Sequence, residues 1–509
     1  MILDCTLRDG GYYTKWDFSP ELVDSYIEAT NNLPIDYIEI GYRSPTKEEY
    51  LGEYFYCPNY ILDKFYNSSS KKIAIMLNEK DIPTDEAGIK SILTTDVIEK
   101  VNLVRIAVNP ERFDSCLALA KVVKSLGLEV AFNLMYMSDW NSKYDFIYSK
   151  IEDCKGTVDF IYMVDSFGGV LPGELLSVYN KLNEAVDGKI KIGFHGHNNL
   201  EMGLINSITA KGLGADIIDA TFTGMGRGAG NLKMELYLTY LNSNEGLELN
   251  YDYLSKIVEG FEELQRDYNW GTQLPYMVSG AYSLPQKKVM EWVSERWYSM
   301  NSIVRGLLSK NEDQFEPISS ETIIDNKAII IGGGASVKNH IRGIKSFIME
   351  NEVTLIFTSN KYLNDFNDLD VRKFHCLIGN EGLRLENQIK NVDADKLGTA
   401  LVPSIREMGA YIPEAMQGNV KEIKLENRST HLKDSATYLA LEFLNLYSSS
   451  FTVYFIGYDG YDSPNSKEQF LFSENLEIFR YFELNYHLYS LVPTKYNILQ
   501  EKSVYSLIQ

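Results

Sequence analysis

Short runs of aliphatic and aromatic residues recur through the first half of the chain: MILDCTL (1–7), DYIEIGY (36–42), KIAIML (72–77), LVRIAV (103–108), LEVAFNLMY (128–136), DFIYMVDS (159–166), KIGFHGH (191–197) and DIIDATFTG (216–224). Each reads as a buried strand. The stretches between them space their apolar residues as helices do. In SPELVDSYIEATNNL, Pro20 suits the first turn after Ser19, and ERFDSCLALAKVVKSLGL is closed by Gly127. Eight strand–helix units in about 240 residues predict a closed parallel (β/α)8 barrel, with a doubly wound open sheet as the alternative. Such a barrel carries its chemistry at the C-terminal ends of its strands, where Arg8 and Asp9 of LDCTLRDGGYY fall.

The pattern then changes. Residues 246–320 read as a helical extension and a polar linker, and a second α/β region opens at NKAIIIGGGASVKNHI (326–341). It continues through EVTLIFTSN (352–360) and VRKFHCLIGN (371–380), then the helix SATYLALEFLNLY and the strand FTVYFIGYDGY (451–461). The expected fold is mixed α/β: a TIM barrel over 1–245, the extension over 246–320, and a Rossmann-like domain over 321–509. A chain of 509 residues exceeds what one core supports, about 250–300.

Composition narrows the function classes. Lys and Arg total 49 against 70 for Asp and Glu, a net charge of −21 that disfavours nucleic acid and anionic lipid as partners. Five cysteines with no C-x-x-C pair argue against a disulfide framework or zinc ribbon and suit a reducing compartment. With no signal-peptide pattern and no apolar run long enough to span a bilayer, the expectation is a cytoplasmic protein. A homo-oligomer is compatible with all of this.

GFHGHNN (193–199) places His195 and His197 at i and i+2, on one face of the seventh strand. They read either as a hydrogen-bonded core pair or as metal ligands. Asp9, on the first strand of a closed barrel, supplies a third donor. One carboxylate and two imidazoles without thiolates suit a divalent cation with open positions, Mn2+ or Mg2+ before Zn2+ or Fe2+.

Three motifs in order, DCTLRDGG (4–11), GFHGHNNL (193–200) and GMGRGAGN (224–231), resemble the DRE-TIM metallolyases, most closely the 4-hydroxy-2-oxovalerate aldolase branch, over residues 1–290. The resemblance implies Asp9, His195 and His197 as ligands and Arg8 as the stabiliser of an enolate oxygen. A chelated 2-oxo acid such as pyruvate would then lose a proton or a carbon–carbon bond beside its carbonyl and react with an aldehyde. Glu39 and Asp165 stand near strand ends as supporting groups or as loop anchors. Asn231 would orient a metal-bound water or cap the next helix, and Arg227 would hold a substrate anion or lie in solvent.

The sequence departs from the branch at one position. Tyr12 stands where the aldolases carry a histidine that takes part in proton removal; a phenol, with an ordinary pKa of about 10, is a poorer base than imidazole at about 6.5. Tyr12 reads as a base or as a pocket wall. MVSGAYSLPQKK resembles a segment whose second tyrosine serves as acid, which implies Tyr282; among 35 tyrosines it reads equally as an aromatic core position.

In the second region, a strand, three glycines and Ser336 read as a phosphate cradle formed by Gly332, Gly333, Gly334 and Ser336, or as a plain tight turn. With THLKDSATYLALEFLNLYSSSFTVYFIGYDGY, this stretch resembles a Rossmann-like domain shared by glycosyltransferase-like proteins, pterin pyrophosphokinases and sialyltransferases. That implies a nucleotide or phosphosugar ligand, with Asp459 near a sugar or metal; His431, at a helix start, reads as a base or as an ordinary surface residue. The combined expectation is a metal-dependent aldolase acting on a 2-oxo acid and an aldehyde from carbohydrate metabolism. An acyl-CoA-dependent condensing synthase, or a glycosyltransferase-like protein using the barrel as scaffold, are the alternatives.

Overall fold

The computed structural model describes residues 1–83, 85–294, 298–308, 314–319, 324–389, 396–425, 432, 434–447, 452–462 and 464–508. The chain divides into two compact units, Met1–Ser294 and Glu295–Gln509. The helices expected in 246–320 fall in both, with Tyr251–Tyr268, Leu274–Ala281 and Gln286–Ser294 in the first and Met300–Leu308 in the second.

The first unit is a closed barrel of eight parallel strands in sequence order: β1 (Ile2–Asp4), β2 (Tyr37–Tyr42), β3 (Lys72–Asn78), β4 (Leu103–Val108), β5 (Glu129–Leu134), β6 (Phe160–Asp165), β7 (Lys191–Gly196) and β8 (Ile217–Ala220). Pairing of Leu3 with Tyr37 on one side and Asp219 on the other closes the ring. The strands are hydrophobic on both sides because both are covered. Leu3, Tyr37, Leu103, Phe160 and Ile217 pack together in the barrel interior, while Ile38, Val104, Ile161 and Ile218 join the larger core shared with the helices. The helix Pro20–Asn32 starts as its sequence predicts, with Pro20 in its first turn and the Ser19 side chain accepting from the Leu22 N–H.

The second unit is a parallel sheet built from β9 (Lys327–Ile331), β10 (Thr354–Phe357), β11 (Lys373–Cys376), β12 (Thr399–Pro403), β13 (Val420–Ile423), β14 (Thr452–Ile456), β15 (His487–Ser490) and β16 (Gln500–Glu501). Its order, β13-β12-β11-β10-β9-β14-β15-β16, reverses direction at β9 and β14, the doubly wound arrangement of a Rossmann-like sheet. Separate cores cover its two faces, with Ile330 and Phe455 in one and Ile329 and Tyr454 in the other. Among the described residues, no helix is long and apolar enough to cross a membrane.

Candidate metal centre

β1 is shorter than its apolar run predicts. The Asp4 carboxylate accepts the Thr6 backbone N–H (3.0 Å), the Thr6 hydroxyl (2.8 Å) and the Tyr26 phenol (2.6 Å), which ends the strand and starts the helix Thr6–Thr14. Arg8 and Asp9 therefore stand in a helix's first turns, not at a strand end. The glycine pair that follows lets this helix pack closely. A Cβ at Gly10 would lie 2.5 Å from Met225 Sδ, and one at Gly11 would lie 2.1 Å from the Trp16 ring.

Period-two alternation turns Glu39, Arg105, His195 and Asp219 inward, two residues beyond the floor formed by Tyr37, Leu103 and Ile217. They close a ring of alternating charge with the helix residues. Arg8 donates to Asp9 Oδ1 (2.6 Å) and to Glu39 Oε2 (2.7 Å), and Arg105 donates to the same Glu39 oxygen (2.9 Å) and to Asp219 Oδ2. Asp219 Oδ2 also lies 2.9 Å from His195 Nδ1, and His195 Nε2 lies 3.5 Å from Asp9 Oδ2. None of the six is more than 6 % exposed.

The ring is loosest between His195 and Asp9, and His197 faces that gap. One ligand atom from each of Asp9, His195 and His197 lies within 4.8 Å of the others. His197 Nδ1 is 2.7 Å from the Asp165 carbonyl oxygen, which only accepts, so Nδ1 carries the hydrogen and Nε2 keeps its lone pair. Burial and the neighbouring His195 push the His197 pKa down to about 3, leaving it neutral. Burial disfavours the Asp9 carboxylate, but Arg8 and both imidazoles outweigh it and hold its pKa well below the usual range. For His195, burial opposes charge while the hydrogen bonds to Asp219 and Asp9 prevail and raise its pKa.

The remaining expected residues separate. Glu39 bridges Arg8 and Arg105. Asn231 donates to Asp9 Oδ2 (2.6 Å), its Oδ1 has no partner, and the following helix Met234–Glu245 has Lys233 at its N-cap, so Asn231 is not a cap. Asp165 anchors a loop: its carboxylate accepts the N–H groups of Gly168 (2.9 Å), Gly169 (3.3 Å) and Val170 (3.1 Å). The Tyr12 hydroxyl lies 3.1 Å from that of Tyr42, and the Arg227 guanidinium sits 5.3 Å over the Tyr12 ring. Tyr282 does not join the cluster; it is 63 % exposed beyond the helix Leu274–Ala281. Sequence reasoning passed over Arg105 and Asp219, although a charged residue inside each of LVRIAV and DIIDATF was the signal.

A family model described as HMGL-like matches residues 1–259. The chain belongs to the HMGL-like family. Among its relatives, a 4-hydroxy-2-oxovalerate aldolase of Chloroflexus aggregans is 30 % identical over 256 residues, 49 % of this chain and 71 % of that protein. An oxaloacetate decarboxylase of Mycobacterium tuberculosis is 28 % identical over 242 residues, 47 % of this chain and 69 % of that protein. The crystal structure of the N-terminal domain of a candidate aldolase from Bacteroides vulgatus is 51 % identical with a TM-score of 0.56, covering 60 % of this chain and 99 % of that one. This HMGL-like chain is thus an enzyme of the metal-dependent lyase and aldolase class. Its donors suit a divalent cation: a neutral imidazole with a free lone pair, a second one facing a carboxylate, and the partnerless Asn231 oxygen beside them.

In the glycine-rich turn of the second unit, several of the expected donors bond within the chain. Gly332 N–H donates to Ile456 O (2.8 Å), Gly334 N–H to Gly457 O (2.9 Å), and Ser336 N–H to Asp459 Oδ2 (3.0 Å). The Ser336 hydroxyl also donates to Asp459. The Asp459 carboxylate thus accepts both donors of Ser336, and the helix behind the turn, Ser336–Asn339, is one turn long. Gly333 faces the Ser359 side chain, and His431 lies outside the described residues.

Proposed function

We propose that the barrel makes or breaks a carbon–carbon bond beside the carbonyl of a 2-oxo acid of the pyruvate type, an aldol or retro-aldol reaction. Asp9, His195 and His197 would hold Mn2+ or Mg2+. When bound, such an ion supplies Lewis-acid polarisation of the substrate's carboxylate and keto oxygens. Arg8 keeps a guanidinium beside the ligand Asp9, where it stabilises negative charge developing on the keto oxygen. Asn231 orients Asp9 by donating to it, and the fully buried Glu39 keeps Arg8 from swinging away. Tyr12, paired with Tyr42 under Arg227, serves the proton of the aldol hydroxyl.

The convergence of three ligand atoms within 4.8 Å carries this reading. Its test is the exchange of pyruvate methyl protons in D2O with metal-loaded protein. Exchange that Asp9→Asn abolishes supports enolate chemistry, and none above background refutes it. The oxaloacetate decarboxylase among the relatives supports a second reading, loss of CO2 from a 2-oxo diacid through the same enolate; CO2 release from oxaloacetate would identify it. A nucleotide or phosphosugar on the second unit stays outside the proposal, because Asp459 takes donors that a phosphate would need.

A further inference from the structure

A neutral imidazole has one lone pair to give, and which nitrogen holds it decides whether the ring is a ligand. For His197 a backbone carbonyl makes the choice. For His195 the choice falls to a side chain, the Asp219 carboxylate 2.9 Å from Nδ1. Asp219 and Asp9 both only accept, but Asp219 is the closer, 2.9 Å from Nδ1 against 3.5 Å from Nε2 to Asp9, so in the neutral ring Nδ1 carries the hydrogen and Nε2 keeps its lone pair. Asp219 is itself held by Arg105, which is wholly buried and fixed by Glu39 (2.9 Å), Asn133 Oδ1 (3.0 Å) and the Tyr162 ring 4.3 Å away.

Packing alone does not account for this pair. Asp219 Oδ1 is buried with no partner, and buried ion pairs are often replaceable by apolar residues without loss of stability. An acceptor that can never donate is what an amide or an apolar side chain would fail to provide. We propose that Asp219, held by Arg105, is the positioning residue that fixes His195 as an Nε2 ligand and thereby sets the centre's affinity for divalent cations. The inference rests on the metal reading of Asp9, His195 and His197. Neither Asp219 nor Arg105 needs to touch the ion.

Outer partners of ligating histidines typically change metal affinity about 10- to 100-fold. The full-length chain, stripped of metal, is titrated with Mn2+ by electron paramagnetic resonance as parent, Asp219→Asn and Arg105→Lys. Asp219→Asn is expected to weaken binding about 10- to 100-fold, and Arg105→Lys, which loses the two-pronged grip, about 3- to 10-fold. Long-range 1H–15N spectra of 15N-histidine protein at pH 9, assigned with His195→Gln, read the tautomer directly. The parent is expected to show Nδ1–H on His195, and Asp219→Asn to shift the ring toward Nε2–H, a change that a packing role would not produce. If the parent binds Mn2+ and Asp219→Asn binds it within twofold with an unchanged tautomer, the proposal falls and the metal centre stands. If the parent binds no Mn2+, the metal reading falls instead. Should Asp219→Asn fail to fold, an unchanged affinity in Arg105→Lys overturns the proposal.

Discussion

Gly193 offers a quantitative test of how the charged ring is supported. Its neighbour across the β6–β7 ladder is Tyr162, and a Cβ at Gly193 would lie 2.4 Å from Tyr162 Cδ1, 2.6 Å from Cε1 and 2.7 Å from Cγ. Carbon atoms rest at about 3.5 Å or more, so Gly193→Ala must push the ring by about 1 Å. The ring has nowhere easy to go: it is wholly buried, with the Arg105 guanidinium 4.3 Å and the Phe160 ring 6.5 Å from its centre. Overpacking of this kind costs about 1–3 kcal/mol, while replacing glycine at an unstrained position returns about 0.4–1 kcal/mol through the unfolded chain. The clash wins, and the expected net loss is about 1–2 kcal/mol. Urea unfolding followed by tryptophan fluorescence measures it, because Trp16, Trp140, Trp270 and Trp292 lie in the barrel unit. Adding Tyr162→Leu should remove most of the alanine penalty. A Gly193→Ala protein as stable as the parent, or a double mutant whose losses simply add, would refute the reasoning.

Other expectations follow from individual contacts. Tyr162→Phe deletes a buried hydroxyl without a partner and is expected to be neutral or stabilising by about 1 kcal/mol in the same urea assay. Ser336→Ala leaves the Asp459 carboxylate and the Gly457 N–H short of a partner, and should cost the second unit about 1–3 kcal/mol, read from its thermal unfolding. Burial pushes the His375 pKa down to about 4 from an ordinary 6.5, so the unfolded chain takes up the proton first. His375's share of stability is therefore complete above about pH 6.5 and is lost as pH falls toward 4, about 3 kcal/mol in all. His375→Gln should flatten that part of the pH profile, and a variant as steep as the parent would count against it. Finally, a divalent ion held by Asp9, His195 and His197, as proposed, would favour an anionic substrate. Charges 4 Å apart at an effective dielectric of about 20 interact by about 4 kcal/mol, so methyl pyruvate should exchange its acetyl methyl protons at least tenfold less efficiently than pyruvate above background, and equal rates would exclude the charge argument.

Apolar runs located all eight barrel strands because a parallel strand buried on both sides has little room for polar residues. The same logic failed where a strand is short or polar: Val420–Ile423 reads VKEI, and Gln500–Glu501 shows no pattern at all. His195 and His197 were legible because their spacing matches the pleat. Asp9 was legible from its place at the start of a closed barrel but on the wrong element, since no periodicity announces that β1 stops at Asp4 and hands Arg8 and Asp9 to a helix. Arg105 and Asp219 went unread for a different reason. Each is one charge within an apolar run, and a strand assignment treats such a residue as noise. A wholly buried arginine is nonetheless so costly to desolvate that it requires anionic partners in the same interior. The arginine of LVRIAV, once buried, needs carboxylates in the barrel interior, and Glu39 on β2 and Asp219 on β8 supply them from strands that do not adjoin β4. Inside this barrel Arg8 and Arg105 stand against Asp9, Glu39 and Asp219, one negative charge in excess, and the excess lies beside the two imidazoles that the pleat had already brought together.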